Sequence, residues 1–251
     1  MIEQITILIA ALIANTMSSF AGGGAGLVQF PVLIFMGLPF SIALATHKTA
    51  TVALGLGAFL RHFKNRRDID WKFAAYIMIC GVFGTILGAW IIVQTPDEIA
   101  KTTLGVLTIS LGLYSMFKKD MGQHHAPKNR STLGLTIGGI ILFLLGVFNG
   151  SITSGSGLFV TMWLIVWFGL DYKKAVMYTM LLVGLFWNAT GAIAVNAMGA
   201  PVHWEWVPAL LIGSFIGGYA GAHFTHLKGN KWIKHAFTGV TLASGALLFV
   251  K

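Results

Sequence analysis

The chain has 251 residues, of which 56% are hydrophobic and 10% charged, with a mean hydropathy of +0.78 and a formal net charge of +9. Apolar runs of near-bilayer length recur throughout, which places it among polytopic membrane proteins and leaves no room for a soluble domain. Its basic residues stand in short loops between those runs, so the charge reads as a topology signal and not as a nucleic-acid surface, and a single cysteine, Cys80, excludes a disulfide framework.

In chain order, apolar stretches at 4–20 and 27–37 flank a glycine-rich break, Gly22-Gly23-Gly24-Ala25-Gly26. The opening Met1-Ile-Glu-Gln is acidic and no small-residue cleavage site follows it, so no signal peptide is expected. Further runs lie at 41–60, 72–94 and 100–117. A polar stretch from Lys118 to Arg130 reads as a linker; its His124-His125 pair has no third ligand nearby, so no metal site is expected. The plan then repeats: runs 133–148 and 158–168 surround a second break, Asn149-Gly-Ser-Ile-Thr-Ser-Gly-Ser-Gly157, and runs 174–197, 204–226 and 232–250 follow. The expected organisation is therefore a first membrane repeat at 1–117, a cytoplasmic linker at 118–132 and a second repeat at 133–251. Gly26-Leu27 matches Gly157-Leu158, Trp71 matches Trp204, and Gly84-xxx-Gly88-Ala89 matches Gly217-xxx-Gly221-Ala222. Small residues at that spacing let membrane helices approach closely.

A helix interrupted at membrane depth leaves backbone groups that hydrocarbon cannot satisfy, so such breaks persist only inside protein or beside a water-filled cavity. Two breaks at corresponding positions of two repeats point to a transporter's binding site. Charge separates two topologies. If each break lies within a full crossing, the repeats are parallel and ten Lys/Arg face the cytoplasm against six outside. If each break is the tip of a hairpin, the repeats are inverted. The loops at 61–72, 118–130, 173–174 and 228–234 then share one side, fourteen basic residues against Lys101 and Lys251. The positive-inside rule favours the second arrangement, with both termini outside. The second arms, 27–37 and 158–168, would span roughly 16 Å, about half the hydrocarbon thickness, as re-entrant half-helices do. The expected fold is all-α: two inverted repeats, each a broken or re-entrant hairpin plus three transmembrane helices.

Each half-helix would present its N-terminus at the break, where free N–H groups and the positive dipole end suit an anion. Candidate binding residues at the tips are Gly22, Gly23, Gly24, Gly26 and Gln29 in the first repeat, and Asn149, Ser154, Gly155, Ser156 and Gly157 in the second. Lys48 lies within an apolar run with no carboxylate to neutralise it, and a charge there commonly marks a substrate or ion pathway. Any proton coupling would fall on its neighbour His47 or, less readily, on His223 or His226, since imidazole titrates near neutrality. Asn188, deep in the run at 174–197, is a further pocket candidate, although interhelical hydrogen bonding explains it equally well. All eight acidic residues stand at segment ends or in loops, which disfavours a cation site.

Gly22-Gly23-Gly24-Ala25-Gly26 followed by Pro31, Ala45-Thr46-His47-Lys48, Asn149-Gly150 followed by Gly155-Ser156-Gly157, and Asn188 together resemble the TauE/SafE family, also called the toluene-sulfonate uptake permeases. The resemblance covers nearly the whole chain. It implies a small integral transporter of the bacterial inner membrane that moves sulfite, sulfonates, sulfoacetate or other small, often sulfur-containing anions. Two positions depart from the family's pattern: related members often carry Asp where Asn149 stands, and a Pro-Gly-Thr-Gly turn where this chain has Ser154-Gly-Ser-Gly157.

The expected function is secondary transport of small organic or sulfur-containing anions across the cytoplasmic membrane by alternating access. An anion channel using the same pore residues is the alternative. Neither enzymatic activity nor a cofactor is expected. The expected partners are a small anionic substrate and the lipid bilayer, without nucleic acid; assembly as a homo-oligomer stays open.

Overall fold

The computed structural model describes residues 2–64, 67, 69–92, 106, 109–117, 121–151 and 155–247. Every regular element among them is helical. In chain order these are α1 (Ile2–Ala21), α2 (Ala25–Phe35), α3 (Phe40–Phe63), α4 (Trp71–Ile92), α5 (109–117), α6 (Thr132–Ser151), α7 (Ser156–Val166), α8 (Tyr172–Ala197), α9 (Val207–Leu227) and α10 (Asn230–Leu247). Six of them, α1, α3, α4, α6, α8 and α9, are long and apolar enough to cross a membrane. Helices α2 and α7 have 11 residues each, or about 16 Å. Most of the run expected at 100–117 falls outside the described residues.

Along α1 the buried side chains are mostly small or polar and the exposed ones are large and apolar. On α1, Ile5, Ile9, Ile13 and Met17 are exposed at helical spacing, whereas Ala11, Ala14, Asn15 and Ser18 are buried. Lipid solvates the apolar stripe, so close packing and hydrogen bonding hold the interior together. The matched glycines serve that packing. Helix α1 lies along α9, and α6 lies along α4. A Cβ on Gly217 would come 2.9 Å from the Thr16 nitrogen, and one on Gly88 equally close to the Ser151 nitrogen. Larger residues at either position would force the helices apart.

The connections sort to two ends. The Lys173 N–H donates to Asn230 Oδ1 at 3.0 Å, and Asn230 Nδ2 donates to the Gln123 carbonyl at 3.0 Å. The Tyr172 N–H reaches the Gly122 carbonyl at 2.8 Å, and the Asp70 N–H reaches the Tyr178 hydroxyl at 2.8 Å. Arg130 stacks 3.4 Å from the centre of the Phe73 ring. The α3–α4, α5–α6, α7–α8 and α9–α10 connections therefore meet at one end, with Lys64, Arg67, Lys128, Arg130 and Lys228 in them and Lys72, Lys173, Lys174 and Lys231 beside them. At the other end Gln4 Nε2 donates to the Glu205 carbonyl at 2.9 Å. Thus α1 and α6 enter the bundle from opposite ends, and each is followed by a short helix that runs back.

Candidate functional site

Both short helices begin at a glycine in the left-handed conformation, Gly24 at φ 98° before α2 and Gly155 at φ 80° before α7. A side chain there would be strained. Glycine at this position also supplies no side-chain cap, so the first N–H groups of each helix stay directed at the break. The two breaks touch. A Cβ on Gly157 would lie 3.0 Å from Gly23 Cα and 3.2 Å from the Gly22 carbonyl oxygen. At Gly23, with φ 143°, a Cβ would meet the Gly157 backbone at 2.6 Å.

Where the tips meet there is a small cavity, with a volume of about 30 Å³. Gly23, Gly24, Ala25 and Gly26 line it from the first break, and Ser156 and Gly157 from the second. Ser18 of α1, His47 and Thr51 of α3, Asn149 of α6 and Asn188 of α8 supply the polar side chains. Met180, Val183 and Gly184 come from the middle of α8, where residues Thr179–Trp187 wind as a π-helix. Such wider turns recur at functional sites because they displace side chains from the regular helical register. Asn149 Nδ2 donates to Ser156 Oγ at 2.8 Å and to Asn188 Oδ1 at 3.2 Å, which joins three helices along one wall. Ser18 Oγ and His47 Nδ1 are buried and have no hydrogen-bond partner among the described residues. Buried polar atoms are normally paired, so these two are suited to a ligand.

Each break also exposes a C-terminal helix end, whose carbonyl oxygens would repel an anion. At the second break Lys48 covers them. Its ammonium donates to the Asn149 carbonyl at 3.0 Å and to the Gly150 carbonyl at 2.8 Å, and its side chain is 1% exposed. At the first break the Ser18 carbonyl accepts the Gly22 and Gly23 N–H groups, both at 2.8 Å, and the Gly22 carbonyl accepts the Thr161 hydroxyl at 2.8 Å. Two helix N-termini thus face the cavity while polar groups cover carbonyls of the opposing ends. No described carboxylate lies nearby: Glu3, Asp70, Asp171 and Glu205 stand at helix ends or in connections.

A family model described as Sulfite exporter TauE/SafE matches residues 7–248. This chain belongs to the TauE/SafE family. A probable membrane transporter protein, ORF9, from Sinorhizobium sp is 28% identical over 237 residues, covering 94% of this chain and 88% of its own. A probable membrane transporter protein from Haemophilus influenzae is 26% identical over 222 residues, covering 88% and 85%. YfcA, a probable membrane transporter protein of Escherichia coli, is 26% identical over 241 residues, covering 95% and 86%. No solved structure gives a significant match. As a TauE/SafE protein with transporter relatives along nearly its whole length, the chain is a multi-pass membrane protein of transporter type.

In this TauE/SafE chain, Gly23, Gly24, Gly26, His47, Asn149, Ser156, Gly157 and Asn188 come together around the cavity. Gly22 and Gly155 shape the tips from behind its lining. Ser154 lies outside the described residues. Gln29 is buried away from the lining and accepts a hydrogen bond from Asn15 Nδ2 at 2.7 Å. Lys48 is also absent from the lining, because the α6 carbonyls draw its ammonium sideways. Sequence reasoning passed over Thr161, whose hydroxyl bridges the Gly22 carbonyl and Thr179 Oγ1. A lone threonine in an apolar run carries no signal of that role. The π-turn of α8 was likewise silent, since its residues read as an ordinary apolar helix.

Proposed function

We propose that the chain is a secondary transporter of small organic or sulfur-containing anions, of the size of sulfite, sulfonates or sulfoacetate, in the cytoplasmic membrane. The observation that carries this reading is the convergence of two glycine-capped helix N-termini on one cavity with no carboxylate around it among the described residues. Lys48 adds a buried positive charge that a bound anion would offset. The family's name points to sulfite as one cargo, and the relatives are named only as transporters. Binding, not catalysis, is what the lining chemistry offers.

The two halves act as inverted repeats, 1–117 and 133–251, with both termini outside and the linker 118–132 in the cytoplasm. The gathering of four basic connections at one end supports this orientation, as does the entry of α1 and α6 from opposite ends. Rocking of one half against the other would open the cavity to each side in turn.

The test is a melting-temperature screen of the purified protein against sulfite, sulfate, thiosulfate, sulfoacetate, taurine and simple carboxylates, followed by counterflow in proteoliposomes. Stabilisation by sulfur oxyanions and saturable exchange of labelled for unlabelled anion are expected. Stabilisation by cations alone defeats the reading, and conductance without counterflow replaces the carrier with a channel.

A further inference from the structure

His47 is the titratable residue among those lining the cavity. It is 1% exposed, and its Nδ1 has no hydrogen-bond partner among the described residues. The groups packed around it are largely uncharged. From α2 comes the Phe30 ring, its centroid 6.2 Å from the imidazole. Ser18, Asn149 and Asn188 line the same cavity from α1, α6 and α8. Two titratable groups lie close. Lys48 is the next residue on α3, and its ammonium is held by the Asn149 and Gly150 carbonyls. His203, in the α8–α9 connection, donates its backbone N–H to Thr46 Oγ1 at 2.9 Å. No carboxylate among the described residues is placed to receive a proton in this region.

We propose that His47 carries a proton across the membrane together with the anion, so that the chain is a proton-coupled carrier. This rests on the anion reading above and adds the coupling ion. A buried imidazolium beside a buried ammonium is costly in isolation. An anion in the cavity supplies the missing negative charge, so each of the two ligands strengthens binding of the other by the same factor. Once the anion leaves, the imidazolium loses its counter-charge and gives up its proton on the same side. Lys48 is unsuited to this role, because deprotonation would weaken its hold on two buried carbonyl oxygens. The proton therefore falls to His47.

The test uses the full chain in proteoliposomes with a trapped pH dye and labelled methanesulfonate, an anion whose own charge is constant near neutrality. Wild-type protein should show saturable counterflow and, in separate liposomes loaded without anion, should acidify the lumen during net methanesulfonate uptake, with one proton moved per anion. In His47→Gln the proton-to-anion ratio should fall to near zero, whatever anion flux remains. Absence of counterflow in the wild type overturns the carrier reading and this proposal with it. Net methanesulfonate uptake into anion-free liposomes without acidification in the wild type, or an unchanged ratio in a folded His47→Gln protein, overturns the proton role alone. If neither His47→Gln nor His47→Asn folds, calorimetry of methanesulfonate binding to the wild type in two buffers of different ionisation enthalpy decides. Proton uptake on binding supports the proposal, and its absence overturns it.

Discussion

The two hairpin tips are built to one plan and secured by different chemistry. Each ends a long helix, turns through glycine and starts an 11-residue helix whose N-terminus faces the shared cavity. The first tip is held by neutral groups, with backbone N–H on the Ser18 carbonyl and the Thr161 hydroxyl on the Gly22 carbonyl. The second is held by a cation, the Lys48 ammonium on two carbonyls. A hydrogen bond from a charged donor contributes about 1.5–3 kcal/mol and a neutral one about 1 kcal/mol. The end of α6 is therefore held by stronger bonds than the end of α1, and it also carries the Asn149 amide into the cavity wall. An approximate internal symmetry can thus yield a site whose halves are unequal in charge and in the groups that hold them.

The largest effect is expected where the tips touch. Gly23→Ala forces a side chain into a positive-φ residue, costing about 1–3 kcal/mol for the backbone alone, and drives its Cβ into the Gly157 backbone. It should lower the melting temperature sharply and abolish uptake. Gly157→Ala meets Gly23 Cα at 3.0 Å and should be milder, leaving folded protein with reduced flux. Equal damage from both would remove the distinction between the tips.

Next come the groups that hold them. Lys48→Met should abolish anion uptake while folded protein is still recovered, because the α6 carbonyls lose their cation and the cavity its positive charge. Thr161→Val should cost about 1 kcal/mol and leave partial uptake. Normal uptake by Lys48→Met would sink the argument from electrostatic asymmetry. Asn188→Ala removes the 3.2 Å bond from Asn149; a loss of about 1 kcal/mol corresponds to roughly a fivefold weaker anion affinity with little change in melting temperature. The mildest test is topological. In a cysteine-free background, Gln4→Cys should react with an impermeant thiol reagent added to whole cells, and Gln123→Cys only after the membrane is opened. The reverse pattern would invert the orientation.

Much of this was written in local patterns. Helix limits followed from run length and punctuation: the run read at 72–94 is the helix Trp71–Ile92, and that at 174–197 is Tyr172–Ala197. The glycine breaks were legible because few side chains tolerate a left-handed residue at a helix start. Other features depended on partners far away in the chain. Lys48 announced itself as a buried cation, but its acceptors lie about a hundred residues downstream, and a linear pattern cannot say which carbonyls a flexible side chain reaches. Gln29 read as a tip residue and instead faces Asn15, since its position on α2 directs it away from the cavity.

By itself, the sequence determined membrane residence, the number and limits of most helices, the two breaks and the absence of acidic groups from the long apolar runs. Hydrophobic run length, charge placement and glycine content act locally and leave a record in the order of residues. Tertiary structure alone decided that the two tips touch and that His47, Asn149 and Asn188 share one cavity. It alone turned Lys48 toward the end of α6 and wound the centre of α8 into a π-helix. Those outcomes follow from packing between helices that enter from opposite ends, where the nearest neighbour in space is rarely near in the chain.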